Sequence, residues 1–136
     1  MRKVVLPVSI AVMMSLVLGG CASGPSQSIR VVMTDFAFTP PTYTIPAGAS
    51  ISVELVNDGA ATHSFMIMKA GYQVQGHFTD SDKSHVYWQE SEVAPGGSVS
   101  ATFVAPSEPG EYQIVCGIPA HFEAGMSGKL VVVKVP

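Results

Sequence analysis

Cys116-Gly117-Ile118-Pro119-Ala120-His121-Phe122-Glu123-Ala124-Gly125-Met126 sets a thiol, an imidazole and a thioether five residues apart, just before a last apolar run, Lys129 to Val135. Gly117, Pro119 and Gly125 interrupt any regular element, so the stretch reads as a loop between two strands. Such a loop can wrap three donors around one ion, and sulfur donors select soft metals over magnesium or calcium. Only one imidazole lies in the loop. His63 opens the run His63 to Met68 and is the candidate for a second. Alternation along that run puts His63, Phe65 and Ile67 on one face and Ser64, Met66 and Met68 on the other.

Each of these residues has an ordinary reading alone. A free cysteine often packs as a small hydrophobe, and methionine fills irregular core space. A histidine in a Pro/Gly loop is commonly at the surface. The joint spacing carries the argument, because the chain holds only 4 His and 7 Met in 136 residues. A buried imidazole without a partner is costly, and a metal removes that cost. Two His, one Cys and a weak axial Met make up the donor set of a blue-copper electron-transfer site.

The chain is 47% hydrophobic and 12% charged, with 10 Pro and 13 Gly, which points to one all-β domain rather than a disordered chain. Its formal charge is -3 and it carries no basic stripe for nucleic acid. Residues 1–20 read as a signal: Arg2 and Lys3 precede an apolar run from Val4 to Leu18. That run is shorter than the ~20 residues a spanning helix needs. Leu18-Gly19-Gly20-Cys21 resembles a bacterial lipoprotein cleavage box. The resemblance implies cleavage before Cys21, a lipidated Cys21 and a membrane anchor in the bacterial cell envelope, outside the cytoplasm. An ordinary signal peptide cut near Ala22 is the alternative. Residues 21–28 would then be a lipidated polar tether and residues 29–136 the domain. With Cys21 lipidated, Cys116 is the only thiol left, so no internal disulfide can form. A lone thiol in an oxidising compartment is open to oxidation unless something occupies it.

The remainder divides into short strands separated by turn signals. Strands are expected at Ile29 to Thr34, Tyr43 to Ile45, Ser50 to Val56, His63 to Met68, Ser98 to Val104, around Tyr112 to Cys116, and at Lys129 to Val135. Phe36 to Pro41 reads as a bend, and Asn57-Asp58-Gly59 as a turn. Ala70 to Ala94 has the weakest pattern and reads as a long flap with a helical turn or a short strand. His77 and His85 belong to it and read as surface histidines. Seven or eight such strands predict a two-sheet β-sandwich.

The Cys-x4-His-x4-Met spacing, the segment from Phe36-x-Phe38-x-Pro40 through Ile45-Pro46-Ala47-Gly48 to Val53-Glu54-Leu55-Val56-Asn57, and His63 together resemble type 1 (blue) copper proteins of the cupredoxin family. The spacing is similar to the auracyanin, rusticyanin and sulfocyanin branch, and longer between Cys and His than in plastocyanin. The resemblance spans about Ile29 to Val135. It implies a Greek-key, cupredoxin-like β-sandwich holding one type 1 copper, with His63, Cys116 and His121 as equatorial ligands and Met126 as the long axial one. Ser64 stands where many members carry Asn, a residue that hydrogen-bonds to the cysteine loop; an outward-facing surface serine is the alternative.

Ile118, Pro119, Ala120, Phe122 and Ala124 form an apolar rim around His121, a candidate docking patch for transient electron-donor and electron-acceptor proteins. Ordinary loop packing is the other reading. The expected function is single-electron transfer between membrane redox complexes by a monomer that is not itself an enzyme. No second cysteine lies in the loop to build a binuclear centre. One rival is an exported copper carrier, which Met66 and Met68 invite, although alternating methionines on a strand are commonly packing residues. The other rival is a structural sandwich without metal.

Overall fold

The computed structural model describes residues 24–136; the expected signal segment and Cys21 lie outside the described residues. Among the described residues nine strands are formed: β1 (Ser28–Thr34), β2 (Ala37–Thr39), β3 (Thr42–Pro46), β4 (Ser50–Asn57), β5 (His63–Met68), β6 (Val86–Val93), β7 (Ser98–Val104), β8 (Gly110–Val115) and β9 (Ser127–Val133). They make two sheets, one ordered β2-β1-β4-β7 and the other β3-β9-β8-β5-β6. The chain crosses between sheets after β2, β3, β4, β6 and β7, giving the expected Greek-key sandwich. Among the described residues no helix is long and apolar enough to cross a membrane.

Alternation explains the core. In β1, Ile29, Val31 and Met33 point inward, and in β4 Ile51, Val53 and Leu55 do the same. They meet Phe65 and Ile67 of β5, Tyr112 and Ile114 of β8, and Leu130 and Val132 of β9. Fully burying one such side chain contributes about 1.5–3 kcal/mol. β1 pairs with β4 in parallel, and β3 with β9 likewise.

β5 departs from the half-buried pattern, because all six of its residues are buried. Its second face is covered by the segment that follows it. Met66 and Met68 pack with Val74 and Val115, flanked by Tyr72, Phe78, Val86 and Phe122. The methionines are therefore packing residues, and Ser64 is buried rather than at the surface.

The strand count exceeds the expected seven or eight for two reasons. Ala37–Thr39 pairs with Val32–Thr34 where a bend was expected. The flap also contributes a 3-10 turn at Asp82–His85 and then the eight-residue β6, paired along β5. Tyr87, Gln89 and Ser91 of β6 face solvent, so the sequence there lacks an apolar run. What holds the strand is Trp88, stacked on Phe103 of the opposite sheet at a centroid distance of 4.9 Å. His77 and His85 are exposed, and the ring of His85 lies flat on Tyr72 at 3.8 Å.

Candidate metal centre

His63 begins β5, and Cys116 follows the last residue of β8, which is the neighbouring strand. The pairing of Met66 with Val115 therefore brings His63 and Cys116 to the same end of the sheet. From there the chain makes tight turns to the start of β9. Ala120 takes a left-handed φ of 70°, and the His121 N–H donates to the Ile118 carbonyl at 3.1 Å. This curls the loop so that His121 points inward. Two further bonds close its base, from Cys116 N–H to the Met126 carbonyl at 3.2 Å and from Met126 N–H to the His121 carbonyl at 3.0 Å.

One donor atom from each of His63, Cys116 and His121 falls within 4.8 Å of the others. His63 Nδ1 lies 3.1 Å from His121 Nδ1, and Cys116 Sγ lies 3.5 Å from that same nitrogen. His63, Cys116 and Met126 are fully buried, and His121 is 8% exposed. Two facing Nδ1 atoms can share at most one proton, so this buried cluster is poorly satisfied by its own hydrogen bonds. Burial, with His63 close by, holds the His121 imidazole below its ordinary pKa and leaves it neutral. A neutral His121 imidazole beside a second imidazole, a thiol and a buried thioether fits a soft ion of the copper type.

The surroundings of the donors are specific. Ser64 N–H points at Cys116 Sγ at 3.4 Å, and its hydroxyl lies 3.7 Å from the same sulfur. That hydroxyl also accepts Gly117 N–H at 2.8 Å. The serine hydroxyl thus bridges β5 to the cysteine loop. Around His121, Pro119 and Ala120 are exposed, whereas Ile118 and Phe122 are half-buried. Ile118 packs against the main core and Phe122 against the methionine cluster. The expected rim is therefore partly a packing element.

Sequence reasoning missed the turn after β1. Asp35 Oδ1 lies 2.9 Å from His63 Nε2. Its carboxylate also accepts N–H groups from Ala60 at 2.9 Å and Ala61 at 3.2 Å. These two backbone donors, and then His63, hold the Asp35 carboxyl below its ordinary range. The next residue, Phe36, is 41% exposed and meets the His121 ring edge-on at 4.8 Å. Asn57, fully buried, donates to the carbonyls of Ala61 at 2.8 Å and Val93 at 2.7 Å, and accepts Gly59 N–H at 2.9 Å. An exposed aromatic in a short turn was the one signal available for Phe36. Asp35 gave none, because its partners are distant in sequence, and Asn57 read only as a turn residue, with no sign of its reach to Val93.

A sandwich with two histidines, a cysteine and a methionine gathered at one end defines the class of small single-domain metalloproteins with a sulfur-rich centre. The chain belongs to the cupredoxin-like domain family, whose pattern matches residues 7–132. Within it, the chain lies in the blue-copper branch of auracyanin and rusticyanin. It is 29% identical to auracyanin-A of Chloroflexus aurantiacus over 162 aligned residues, covering 97% of each chain. It is 31% identical to a copper-resistant cuproprotein of Rubrivivax gelatinosus over 118 residues, covering 83% of this chain and 70% of the relative. Dithionite-reduced auracyanin of Roseiflexus castenholzii superposes with a TM-score of 0.69 at 29% identity, over 81% of this chain and 99% of that one. Reduced rusticyanin superposes with a TM-score of 0.55 at 28% identity, over 79% of this chain and 81% of that one.

Proposed function

We propose that His63 Nδ1, Cys116 Sγ, His121 Nδ1 and the thioether of Met126 would together hold one copper ion, and that the chain passes single electrons between redox proteins. The observation that carries this reading is the buried convergence on His121 Nδ1 of His63 Nδ1 at 3.1 Å and Cys116 Sγ at 3.5 Å. Copper, when bound, supplies a one-electron Cu(I)/Cu(II) couple. The protein's part is to hold the donors and keep water out. His63 comes from a strand, and the other three donors come from a loop whose ends sit on paired strands, so the donor positions are held by the sandwich. Phe65, Ile67 and Ile114, all fully buried nearby, keep the interior dry.

The route for the electron is the near-surface edge of His121, with Phe36, Pro119 and Ala120 around it. A small apolar face suits brief redox encounters. The chain itself turns over no substrate in this reading. Cleavage before Cys21 and lipidation there would tether it to a bacterial membrane outside the cytoplasm, close to membrane redox complexes. Residues 1–20 are the signal, 21–28 the tether and 29–136 the domain.

A second reading is favoured by the similarity to a copper-resistant cuproprotein: exported copper binding for storage or delivery. Visible and paramagnetic-resonance spectra with one equivalent of Cu(II), beside Cys116→Ser, test the centre. The expected result is an intense charge-transfer band with compressed copper hyperfine splitting, lost in the variant. An ordinary pale Cu(II) spectrum that the substitution leaves unchanged would sink the type 1 assignment. Transfer of the metal to a chelator separates the two roles: a shuttle retains copper in both oxidation states, whereas a carrier releases it.

A further inference from the structure

We propose that Asp35 is a positioning residue for the metal centre: its carboxylate fixes the ring of His63 with Nδ1 towards the ion and biases the centre to the more highly charged oxidised state. The inference rests on the copper reading above and extends it to a residue outside the four donors.

The geometry is that of a brace between the two sheets. Asp35 follows β1 in one sheet, and His63 opens β5 in the other. Oδ2 accepts Ala60 N–H, and Oδ1 accepts Ala61 N–H together with the ring nitrogen of His63. The carboxylate is thus anchored by the backbone leading into β5, and it is aimed at His63. A carboxylate only accepts, so the proton sits on Nε2 and the lone pair on Nδ1, the nitrogen that faces His121. Donation of the distal N–H of a ligating histidine to a carboxylate raises the basicity of the ligand and fixes its orientation. A full negative charge at that position also favours the ion of higher positive charge. Gly59 keeps the space free, since a Cβ there would lie 2.5 Å from Asp35 Oδ1 and 2.9 Å from His63 Nε2.

The test uses Asp35→Asn, which keeps the shape and removes the charge, on the chain with and without metal. Zinc binding by competition is expected to weaken about 10–100-fold. The reduction potential is expected to rise, by about 59 mV for each tenfold loss of preference for the oxidised ion in a one-electron couple. In the metal-free wild-type protein, nitrogen NMR is expected to find His63 in the Nε2–H tautomer. That last measurement needs no variant and so survives a folding failure of Asp35→Asn. An Nδ1–H tautomer would overturn the proposal. So would a variant that melts lower yet keeps zinc affinity within twofold and an unmoved potential, since Asp35 would then only brace the loop. The outcomes also separate this inference from the copper reading. A charge-transfer band that is present, with potential and zinc affinity indifferent to Asp35→Asn, sinks the role of Asp35 alone. Absence of the band from the unaltered protein sinks both.

Discussion

The hydroxyl of Ser64 and the backbone N–H of Gly117 are hydrogen-bonded at 2.8 Å, joining β5 to the loop that leaves the neighbouring β8. The same hydroxyl lies 3.7 Å from Cys116 Sγ. One side chain therefore fixes the peptide next to the thiol and touches the sulfur. Ser64→Ala leaves the Gly117 N–H without that acceptor, in a place where an unsatisfied donor costs about 1–3 kcal/mol. The expected outcome is a lower melting temperature of the metal-free protein together with a shifted sulfur-to-copper band. A variant that loses stability with an unmoved band would restrict Ser64 to holding the loop.

Gly59 is required by space rather than by its backbone angle. A methyl group there would meet Asp35, His63 and, at 3.2 Å, Asn57 Oδ1. Gly59→Ala is expected to destabilise the fold by about 1–3 kcal/mol, the usual scale of overpacking. It should also weaken metal binding, because the crowded groups include the His63 ring and the Asp35 carboxylate that bonds it. Chemical denaturation with and without zinc checks both parts.

Phe36 offers a cleaner probe of the electron route than any residue of the ligand loop. It is exposed and touches the His121 ring without lying in the donor set. Phe36→Ala should leave the spectrum and potential of the loaded protein nearly unchanged. Electron self-exchange, read by NMR line broadening of mixed oxidation states, should slow. An unchanged rate would place the transfer face elsewhere.

The flap carries its own acid-sensitive lock. Asp82 accepts the Thr79 hydroxyl and its N–H (2.6 Å), as well as the Tyr72 hydroxyl (2.7 Å). The Thr79 hydroxyl, then that of Tyr72, hold the Asp82 carboxyl below its usual 3.8. A depressed carboxyl stabilises the fold above its unfolded value, and the contribution is lost as pH falls through the lower folded value. Amide exchange in residues 72–85 is therefore expected to stay slow from neutral pH to about 5, after correction for intrinsic rates, and to quicken below 3.8. Asp82→Asn should show faster exchange already at neutral pH and lose that acid step.

The legible parts of this molecule were those written in local pattern. Alternation in β1 and β4 exposes their inward faces directly, and the spacing of Cys116, His121 and Met126 names a loop with soft donors. His63 was legible because parity put it on the side of Phe65 and Ile67. β6 was hidden because its inward residues are as mixed as Trp88 and Glu90. Alternation put Ser64, Met66 and Met68 on the face opposite Phe65 without showing what covers it: the flap packs on the two methionines, and Ser64 lies against the cysteine loop. Asp35, and the longest contact of Asn57, are closed only by the fold: Asp35 bonds a ring 28 positions away, and Asn57, besides its local turn bonds, a carbonyl 36 positions away. No window of sequence contains both partners.

The closure of the ligand loop on itself has an evolutionary consequence. Val115 pairs with Ser127, so the strands on either side of residues 116–126 are already joined at the base of the loop. Residues can be gained, lost or exchanged within that span without shifting the register of β8 and β9. The spacing among cysteine, histidine and methionine is thus a heritable dial, separable from the frame that carries it. Lineages sharing this sandwich are free to diversify the centre in small steps, each tested against a scaffold that does not have to be reinvented.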